Sequence, residues 1–253
     1  MSLSIDLNAD AGESYGAWTL GQDAALFGFL SSVNIACGFH AGDPSTILRT
    51  LELATKYSLA VGAHPGFPDL IGFGRREMHL EANQIYADVL YQISALEGMA
   101  RTQGVRLNHV KAHGALYNQA AQNLGIAKAI AQAVQDFDPS LPFVGLPNSK
   151  LEVAAAECNL RFIPEAFPER GYIASGQLAP RLMIGSSIHD PAIAAARAVQ
   201  MALGRIETLE GKSLEIAPQT LCIHGDNPNA VEIAQAVRGA LEQAGFQVRA
   251  YAS

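Results

Sequence analysis

The sequence predicts an α/β protein, a single (β/α) barrel of seven strands that spans residues 1–253. Short apolar runs that end in glycine and polar residues alternate with segments in which apolar residues recur every three or four positions. This alternation is typical of strands followed by helices, and it favours a parallel sheet. Seven such units follow one another without a linker or a break in composition, which favours a closed barrel. A doubly wound open sheet is the alternative architecture.

Each predicted strand is a short apolar run that leads into a turn. The seven runs are residues 3–10, 32–40, 59–66, 107–114, 143–147, 161–167 and 220–226. Helices are predicted to begin where an Asp or Asn side chain can cap the helix and a proline can occupy its first position. This pattern occurs at Asp43-Pro44, Asp190-Pro191 and Asn227-Pro228. The stretch "IETLEGKSLEI", residues 206–216, instead predicts a short hairpin with its turn at Glu210-Gly211.

The composition disfavours several classes of partner. The 17 basic and 24 acidic residues give a formal net charge of −7, which argues against nucleic acid and anionic membranes. The three cysteines include no CxxC pair, so the sequence indicates neither a structural zinc site nor a disulfide framework. No stretch reaches about 18 apolar residues, the length of a membrane span, and no signal peptide precedes the first predicted strand. We therefore expect a cytoplasmic protein.

Polar residues occupy every second position in two of the predicted strands. They are Asp6, Asn8 and Asp10 in the first strand and His109, Lys111 and His113 in the fourth. Successive side chains of a strand point to opposite faces, and the face against the helices is apolar. The polar sets are therefore predicted to point toward the barrel axis. The same parity places further polar residues there, namely Asn34, His40, His64, Glu165, His224 and Asp226.

Most of these residues lie at the C-terminal ends of strands, where barrel active sites form. Two similar corners, "CGFHAGDP" at 37–44 and "CIHGDNP" at 222–228, each present a His and an Asp there. Asp6 and His109 lie deeper, where a buried hydrogen-bonded network would satisfy them. The candidate catalytic residues are Asp10, Glu13, His40, His64, His113 and His224. The candidate substrate-binding residues are Asn8, Asn34, Asp43, Lys111, Arg170, Arg181 and Asp226.

Such a dense set of titratable groups suits acid–base chemistry, in which one group activates water and another protonates a leaving group. A metal site is the second interpretation, and the residues alone leave it open. His109 and His113 have the HxxxH spacing, but on a strand they are about 13 Å apart, so they cannot bind one ion together. A metal would instead take one His from each of several strands and a carboxylate, as in Asp10, His64 and His113.

Six motifs, in order along nearly the whole chain, resemble those of the LamB/YcsF family. They are "SIDLNADAGESYG" (4–16), "VNIACGFHAGDP" (33–44), "VGAHPGFPDLIGFGRR" (61–76), "HVKAHGALYN" (109–118), "EAFPERGY" (165–172) and "CIHGDNPNAV" (222–231). The resemblance implies a (β/α) barrel of the glycoside hydrolase/deacetylase kind, often seven-stranded. It also implies a role as the A subunit of a bacterial 5-oxoprolinase. That enzyme opens 5-oxoproline to glutamate with ATP hydrolysis, and it includes two further subunits, B and C.

The implied reaction assigns roles to the candidate residues. ATP would be a cosubstrate that phosphorylates the lactam oxygen and so activates the ring carbon. Asp10 and His113 would be the leading base and acid. Arg181 or Lys111 would hold the substrate carboxylate. The orienting residues would be His40, His64 and His224.

The chain departs from the family pattern in two places. Ala112 stands where the family usually has proline, and Leu182-Met183 follow Arg181 where Ser-Gln is common. The second departure lies next to Arg181, so the family's substrate contacts near Arg181 do not carry over directly to this chain.

The first motif is also similar to that of YdjC-type sugar deacetylases, in which an Asp and two His hold a metal. Asp10, His64 and His113 would match those positions, whereas the second Asp of that motif is Ala11 here. A metal-dependent deacetylase acting on an N-acetyl sugar is therefore the alternative enzyme. A non-catalytic partner that binds a small amide is a third interpretation.

Overall fold

The structure is a computed structural model that describes residues 3–180 and 182–251. Strands and helices alternate along most of this length. The strands are β1 (Leu3–Ala11), β2 (Ser32–Ala36), β3 (Ala60–His64), β4 (Leu107–Lys111), β5 (Phe143–Gly145), β6 (Phe162–Ala166), β7 (Arg205–Glu207), β8 (Ser213–Glu215), β9 (Thr220–Ile223) and β10 (Phe246–Val248). The helices are α1 (Asp23–Leu26), α2 (Pro44–Lys56), α3 (Ala82–Thr102), α4 (Gly114–Gln122), α5 (Leu124–Phe137), α6 (Lys150–Glu157), α7 (Pro191–Ala202) and α8 (Ala230–Gln243).

Seven parallel strands close into a barrel, in the order β1-β2-β3-β4-β5-β6-β9. Closure occurs because β9 pairs with β6 on one side and with β1 on the other. The predicted seven-stranded barrel is thus confirmed, and the open doubly wound sheet is excluded. The short β10, which the sequence pattern did not predict, pairs with the first residues of β1, Leu3 to Ile5.

Alternation along the strands separates an apolar layer from a polar axis. Ile5, Leu7 and Ala9 of β1 are buried in the hydrophobic core. Each such side chain contributes about 1.5–3 kcal/mol when it is large and fully buried. The intervening Asn8 and Asp10 are also buried, although they are polar, because they face the barrel interior.

Two of the three predicted helix starts are confirmed. The carboxylates of Asp43 and Asp190 cap α2 and α7, and a proline occupies the first position of each helix. The third prediction, at Asn227-Pro228, is wrong, because α8 begins only at Ala230. The Asn227 side chain is already engaged in the preceding turn, where it donates to Glu169 and accepts from the Asn229 amide. The predicted hairpin is confirmed as the antiparallel pair β7 and β8.

The strand ends are shorter than the apolar runs suggested. β2 ends at Ala36 and β9 at Ile223, so His40 and His224 lie in the turns beyond them. The turn after β2 bends sharply at Gly38 and Gly42, where φ is +99° and +81°. These left-handed conformations favour glycine and return His40 to the barrel mouth.

Among the helices of the described residues, none combines the length and the apolar composition that crossing a membrane requires.

Candidate active site

A buried polar network runs up the barrel axis. The Asn34 amide nitrogen donates to Asn8 Oδ1 at 2.7 Å and to Asp10 Oδ1 at 2.9 Å. The Asn8 amide nitrogen donates in turn to Thr220 Oγ1 at 2.6 Å and to Glu165 Oε1 at 3.1 Å. The predicted orientation toward the axis is therefore correct for Asn8, Asn34 and Asp10. Their side chains are joined by hydrogen bonds, with Asn34 as the link between Asn8 and Asp10.

Lys111 is the cation at the centre of this network. Its Nζ atom lies 3.0 Å from Asp10 Oδ1, 2.8 Å from Glu165 Oε1 and 3.1 Å from Cys222 Sγ. Burial alone would lower the pKa of Lys111, but the charge of Asp10 holds it well above its usual range. Burial alone would raise the pKa of Asp10, but the charges of His64 and Lys111 hold it well below its usual range. The two side chains are thus a charged pair at neutral pH.

The deeper polar groups form a structural layer, as the sequence led us to expect. Asp6 accepts hydrogen bonds from the hydroxyls of Ser31, Ser32 and Thr220. His109 Nε2 lies 2.7 Å from Asn34 Oδ1. Burial and the charge of Lys111 lower the pKa of His109 to about 3, so its ring stays neutral.

Three histidines and a glutamate meet above the Asp10–Lys111 pair. His64 Nε2 lies 3.1 Å from His113 Nδ1, and Glu13 Oε1 lies 3.4 Å from the same His113 atom. His40 Nε2 lies 3.3 Å from Glu13 Oε1, and its ring stacks on that of His113 with 3.7 Å between centroids. We call this set the His/Glu cluster; its members are Glu13, His40, His64 and His113.

Burial shapes the electrostatics of the His/Glu cluster. Desolvation, with the nearby His113, lowers the pKa of His40 well below its usual range. Desolvation, with the nearby His64, does the same for the pKa of His113. Desolvation and the charge of Asp10 raise the pKa of Glu13 well above its usual range.

Four different barrel segments bring the His/Glu cluster together. His64 ends β3, and His113 follows β4 as the residue that precedes α4. Glu13 and His40 come from the loops after β1 and β2. The loop after β3 folds over them at Gly74, where a Cβ atom would lie 2.7 Å from His113 Cδ2 and 2.8 Å from His40 Cβ. A side chain there would displace the cluster, which explains the glycine.

A cavity of about 510 Å³ opens above these groups at the C-terminal end of the barrel. Its volume is in the range of small-molecule sites. Polar residues that line it include Asp10, His64, Lys111, His113, Tyr117 and His224. Four of the six candidate catalytic residues thus border the cavity, while Glu13 and His40 are buried beside them.

His224 lies on the wall of the cavity. Its ring stacks on Phe167, with 5.5 Å between centroids, and its Nδ1 atom lies 3.4 Å from Glu169 Oε2. The same carboxylate accepts the His224 backbone N–H at 2.7 Å. Glu169 therefore fixes the second of the two corners that the sequence singled out.

The remaining candidates for substrate binding have structural partners. Asp43 is the cap of α2 and also accepts from the Gly16 amide, so its carboxylate holds two segments of chain. Asp226 forms an ion pair with Arg75 at 2.7 Å. Arg170 borders the cavity, and its guanidinium donates to the Ser186 and Ala179 carbonyls, which anchors the loop after β6. Arg181 lies outside the described residues.

Three residues near the site were not among the candidates. Glu165 was expected at the axis, but its contact with Lys111 joins β6 to β4, two strands that are not neighbours in the sheet. Tyr117 borders the cavity, and its position four residues after His113 on a helix start was an available signal. Arg75 borders the cavity from the loop after β3, and no spacing rule indicated it.

Comparison with known proteins finds relatives that match nearly the whole chain. The model of the LamB/YcsF family matches residues 5–253. A Thermus thermophilus protein, named as the A subunit of 5-oxoprolinase, is 57% identical over 250 residues, which cover 98% of this chain and 100% of the relative. The crystal structure of the lactam utilization protein from Thermus thermophilus superposes with a TM-score of 0.94 at 56% identity, over 98% of this chain and 100% of that one.

A more distant structure shares the fold alone. A structure described as T48 deacetylase with substrate has a TM-score of 0.50 at 14% identity, over 98% of this chain and 87% of that one. The two chains therefore share a (β/α) barrel fold. With a family model that spans almost its full length and a relative identical at more than half of the aligned positions, the chain belongs to the LamB/YcsF family.

Proposed function

We propose that this chain is the A subunit of an ATP-dependent 5-oxoprolinase, which hydrolyses the lactam of 5-oxo-L-proline to L-glutamate as ATP is cleaved. One observation carries the proposal: a cavity of small-molecule size ends on a buried set of carboxylates, imidazoles and one ammonium group. The names of the relatives support the choice of substrate. Subunits B and C complete the enzyme, and 5-oxoproline is the small-molecule substrate.

The proposed reaction needs activation because a lactam is an unreactive amide. Transfer of the terminal phosphoryl group of ATP to the lactam oxygen releases ADP and makes the ring carbon electrophilic. Water adds to that carbon, the ring C–N bond breaks, and the nitrogen takes up a proton. Hydrolysis of the carbon–oxygen–phosphate linkage by a second water then gives the glutamate carboxylate and phosphate.

The residues at the cavity floor fit these requirements. Asp10 is held ionised, and its Oδ2 atom lies 3.3 Å from His64 Nε2, so a water between them and the substrate would be oriented and deprotonated. Lys111 is 2% exposed and borders the same cavity, where its ammonium group would stabilise the negative charge that develops at the reacting carbon. His113 borders the same cavity and is the proposed proton donor to the ring nitrogen; for this role its Nδ1 atom must first take up a proton, since Nε2 donates to the Phe73 carbonyl.

The substrate carboxylate requires a cation farther up the cavity. Arg181 remains the candidate from the sequence. Arg75 is a second candidate, because its partly exposed guanidinium borders the cavity and has N–H donors beyond those of its ion pair with Asp226. Lys111 is less suited to this task, since Asp10 and Glu165 already neutralise it.

The experiment is an assay of 5-oxoproline-dependent glutamate and ADP release, with this chain alone and then with its B and C partners. We expect turnover only in the mixture. Asp10→Asn should lower turnover by about 10²–10⁴-fold, the usual range for a proton-transfer group. Asp6→Asn is the matched control, because Asp6 is a buried carboxylate of the same strand that does not border the cavity. Full turnover with Asp10→Asn would refute its assignment, and it would favour the non-catalytic interpretation.

The His/Glu cluster also favours a second candidate, a metal-dependent deacetylase acting on an N-acetyl sugar. This enzyme would release acetate from N-acetyl sugars without ATP or partner subunits. Acetate release by the chain alone, together with no glutamate from the mixture, would establish it over the lactam reaction.

A further inference from the structure

The two histidines that face each other in the cavity have fixed tautomers. His64 Nδ1 lies 2.8 Å from the Lys111 carbonyl oxygen, and His113 Nε2 lies 2.8 Å from the Phe73 carbonyl oxygen. A carbonyl oxygen only accepts, so both of these ring nitrogens carry the proton. In neutral rings, His64 Nε2 and His113 Nδ1 must then present lone pairs to each other across 3.1 Å.

Two carboxylates point at the same space. Glu13 Oε1 lies 3.4 Å from His113 Nδ1, and Asp10 Oδ2 lies 3.3 Å from His64 Nε2. Four electron-pair donors therefore converge in a site where the side chains are nearly excluded from water. Buried lone pairs that face one another repel, so the arrangement calls for a cation between them.

That cation is either a proton or a metal ion. One proton would serve the His64–His113 contact, and a second proton, on Glu13, would be needed for the contact of Glu13 with His113. Protonating His113 also places an imidazolium 3.7 Å from the stacked ring of His40. A divalent ion would contact His64, His113 and Glu13 at once, and ligands about 2.1 Å from such an ion lie about 3.4 Å apart, close to the separations of these donor atoms.

We propose that His64 Nε2, His113 Nδ1 and Glu13 bind one divalent transition-metal ion, with zinc as the preferred class. Two imidazole nitrogens among the three ligands suit zinc, whereas magnesium and calcium prefer sites made of oxygen ligands alone. The backbone carbonyls of Lys111 and Phe73 are the outer partners that orient metal-bound imidazoles. His40 is a positioning residue, because its Nε2 atom holds Glu13 Oε1 at 3.3 Å.

Three protein ligands leave an open position toward the cavity, which His64 and His113 border. A metal there would polarise a substrate carbonyl or lower the pKa of a bound water. His113 would then be a ligand, and the proton donor to the ring nitrogen would have to be another group. The inference does not depend on the identity of the substrate, since it rests on the donor atoms alone.

The test uses the purified full chain without partners or substrate. The protein is stripped with a chelator, reloaded with Zn²⁺, freed of excess ion, and its metal content is measured. We expect about one ion per chain. Loading with Co²⁺ gives a second readout that needs no variant, because visible absorption reports nitrogen and oxygen ligands directly.

Variants then assign the ligands. Glu13→Gln and His64→Asn should each lose stoichiometric binding, while His40→Asn should weaken it without abolishing it. The matched control is His224→Asn, which removes a cavity histidine outside the cluster and should still bind about one ion. Zn²⁺ should raise the Tm of the wild type and the control but not of Glu13→Gln.

Two outcomes would overturn the proposal. The wild-type chain could bind fewer than about 0.1 ion and show no cobalt absorption, which would establish a shared proton in place of a metal. Alternatively, Asp10→Asn could lose the metal while a folded Glu13→Gln retains it, which would refute the ligand assignment. Neither outcome bears on glutamate release by the mixture with B and C, so failure of this inference and failure of the proposed function are separable.

Discussion

The ammonium group of Lys111 on β4 lies 3.0 Å from the carboxylate of Asp10 on β1, on opposite sides of the barrel interior. The same ammonium lies 2.8 Å from Glu165 on β6. One buried cation thus ties three strands together and offsets two carboxylates.

Lys111→Met should destabilise the protein strongly, because it leaves Asp10 and Glu165 buried without a counter-charge. We expect a loss of about 3–5 kcal/mol in the free energy of unfolding, measured by urea denaturation. Adding Glu165→Gln should recover part of the loss. The control is Lys128→Met, which breaks an exposed ion pair with Glu157 and should cost less than about 1 kcal/mol. A loss below about 1 kcal/mol for Lys111→Met would contradict the role of the pair.

Asp6 should make the protein less stable as the pH rises from about 4 to about 6. Burial raises the pKa of Asp6 from 3.8 to about 6, so between these values the folded state holds a proton that the unfolded state releases. Stability from this group is complete below pH 3.8 and falls by about 3 kcal/mol as the pH passes 6.

The Asp6→Asn variant should lack this fall. Urea unfolding of both proteins at pH 4.5 and pH 7 measures it, with the variant gaining stability relative to the wild type at the higher pH. An equal change in both proteins between the two pH values would show that Asp6 does not titrate as its burial implies.

Asp43→Ala should lower stability without changing substrate affinity, because the carboxylate is engaged as the cap of α2. Loss of a cap costs about 1 kcal/mol. Asp190→Ala removes the equivalent cap of α7 and should cost a similar amount. A rise in KM for 5-oxoproline with Asp43→Ala, absent with Asp190→Ala, would restore the substrate-binding role that the sequence suggested.

Gly62→Ala should destabilise the barrel, because the added methyl group would overlap the His109 ring inside it. His109 would have to leave its hydrogen bond with Asn34, and we expect a cost of about 1–3 kcal/mol or more. The matched change, Gly239→Ala, adds a methyl in open space on α8 and should stabilise by about 0.5–1 kcal/mol. Thermal unfolding of both variants measures the difference, and equal melting temperatures would contradict the close contact.

Strand periodicity made much of the interior predictable. The alternation in β1 and β4 correctly predicted that Asn8, Asp10 and Lys111 face the axis, because side chains of a strand must change sides at every residue. Local composition could not distinguish a residue that only caps a helix from one that also binds substrate. Asp43 was predicted both as the cap of α2 and as a substrate-binding residue, and the structure confirms the cap, in which its carboxylate accepts from amides only two and three residues away.

The sequence by itself determined the alternation of strands and helices, the polar face of the strands and the strand ends at which a site would form, because periodicity along the chain is a local property. Only the tertiary structure decided which groups meet. Glu13 and His40 lie in loops, where no period applies, and the closure of seven strands brings them within 3.3 Å of each other. Likewise, the facing lone pairs of His64 and His113 follow from carbonyls of the distant Lys111 and Phe73, which spacing along the chain cannot reveal.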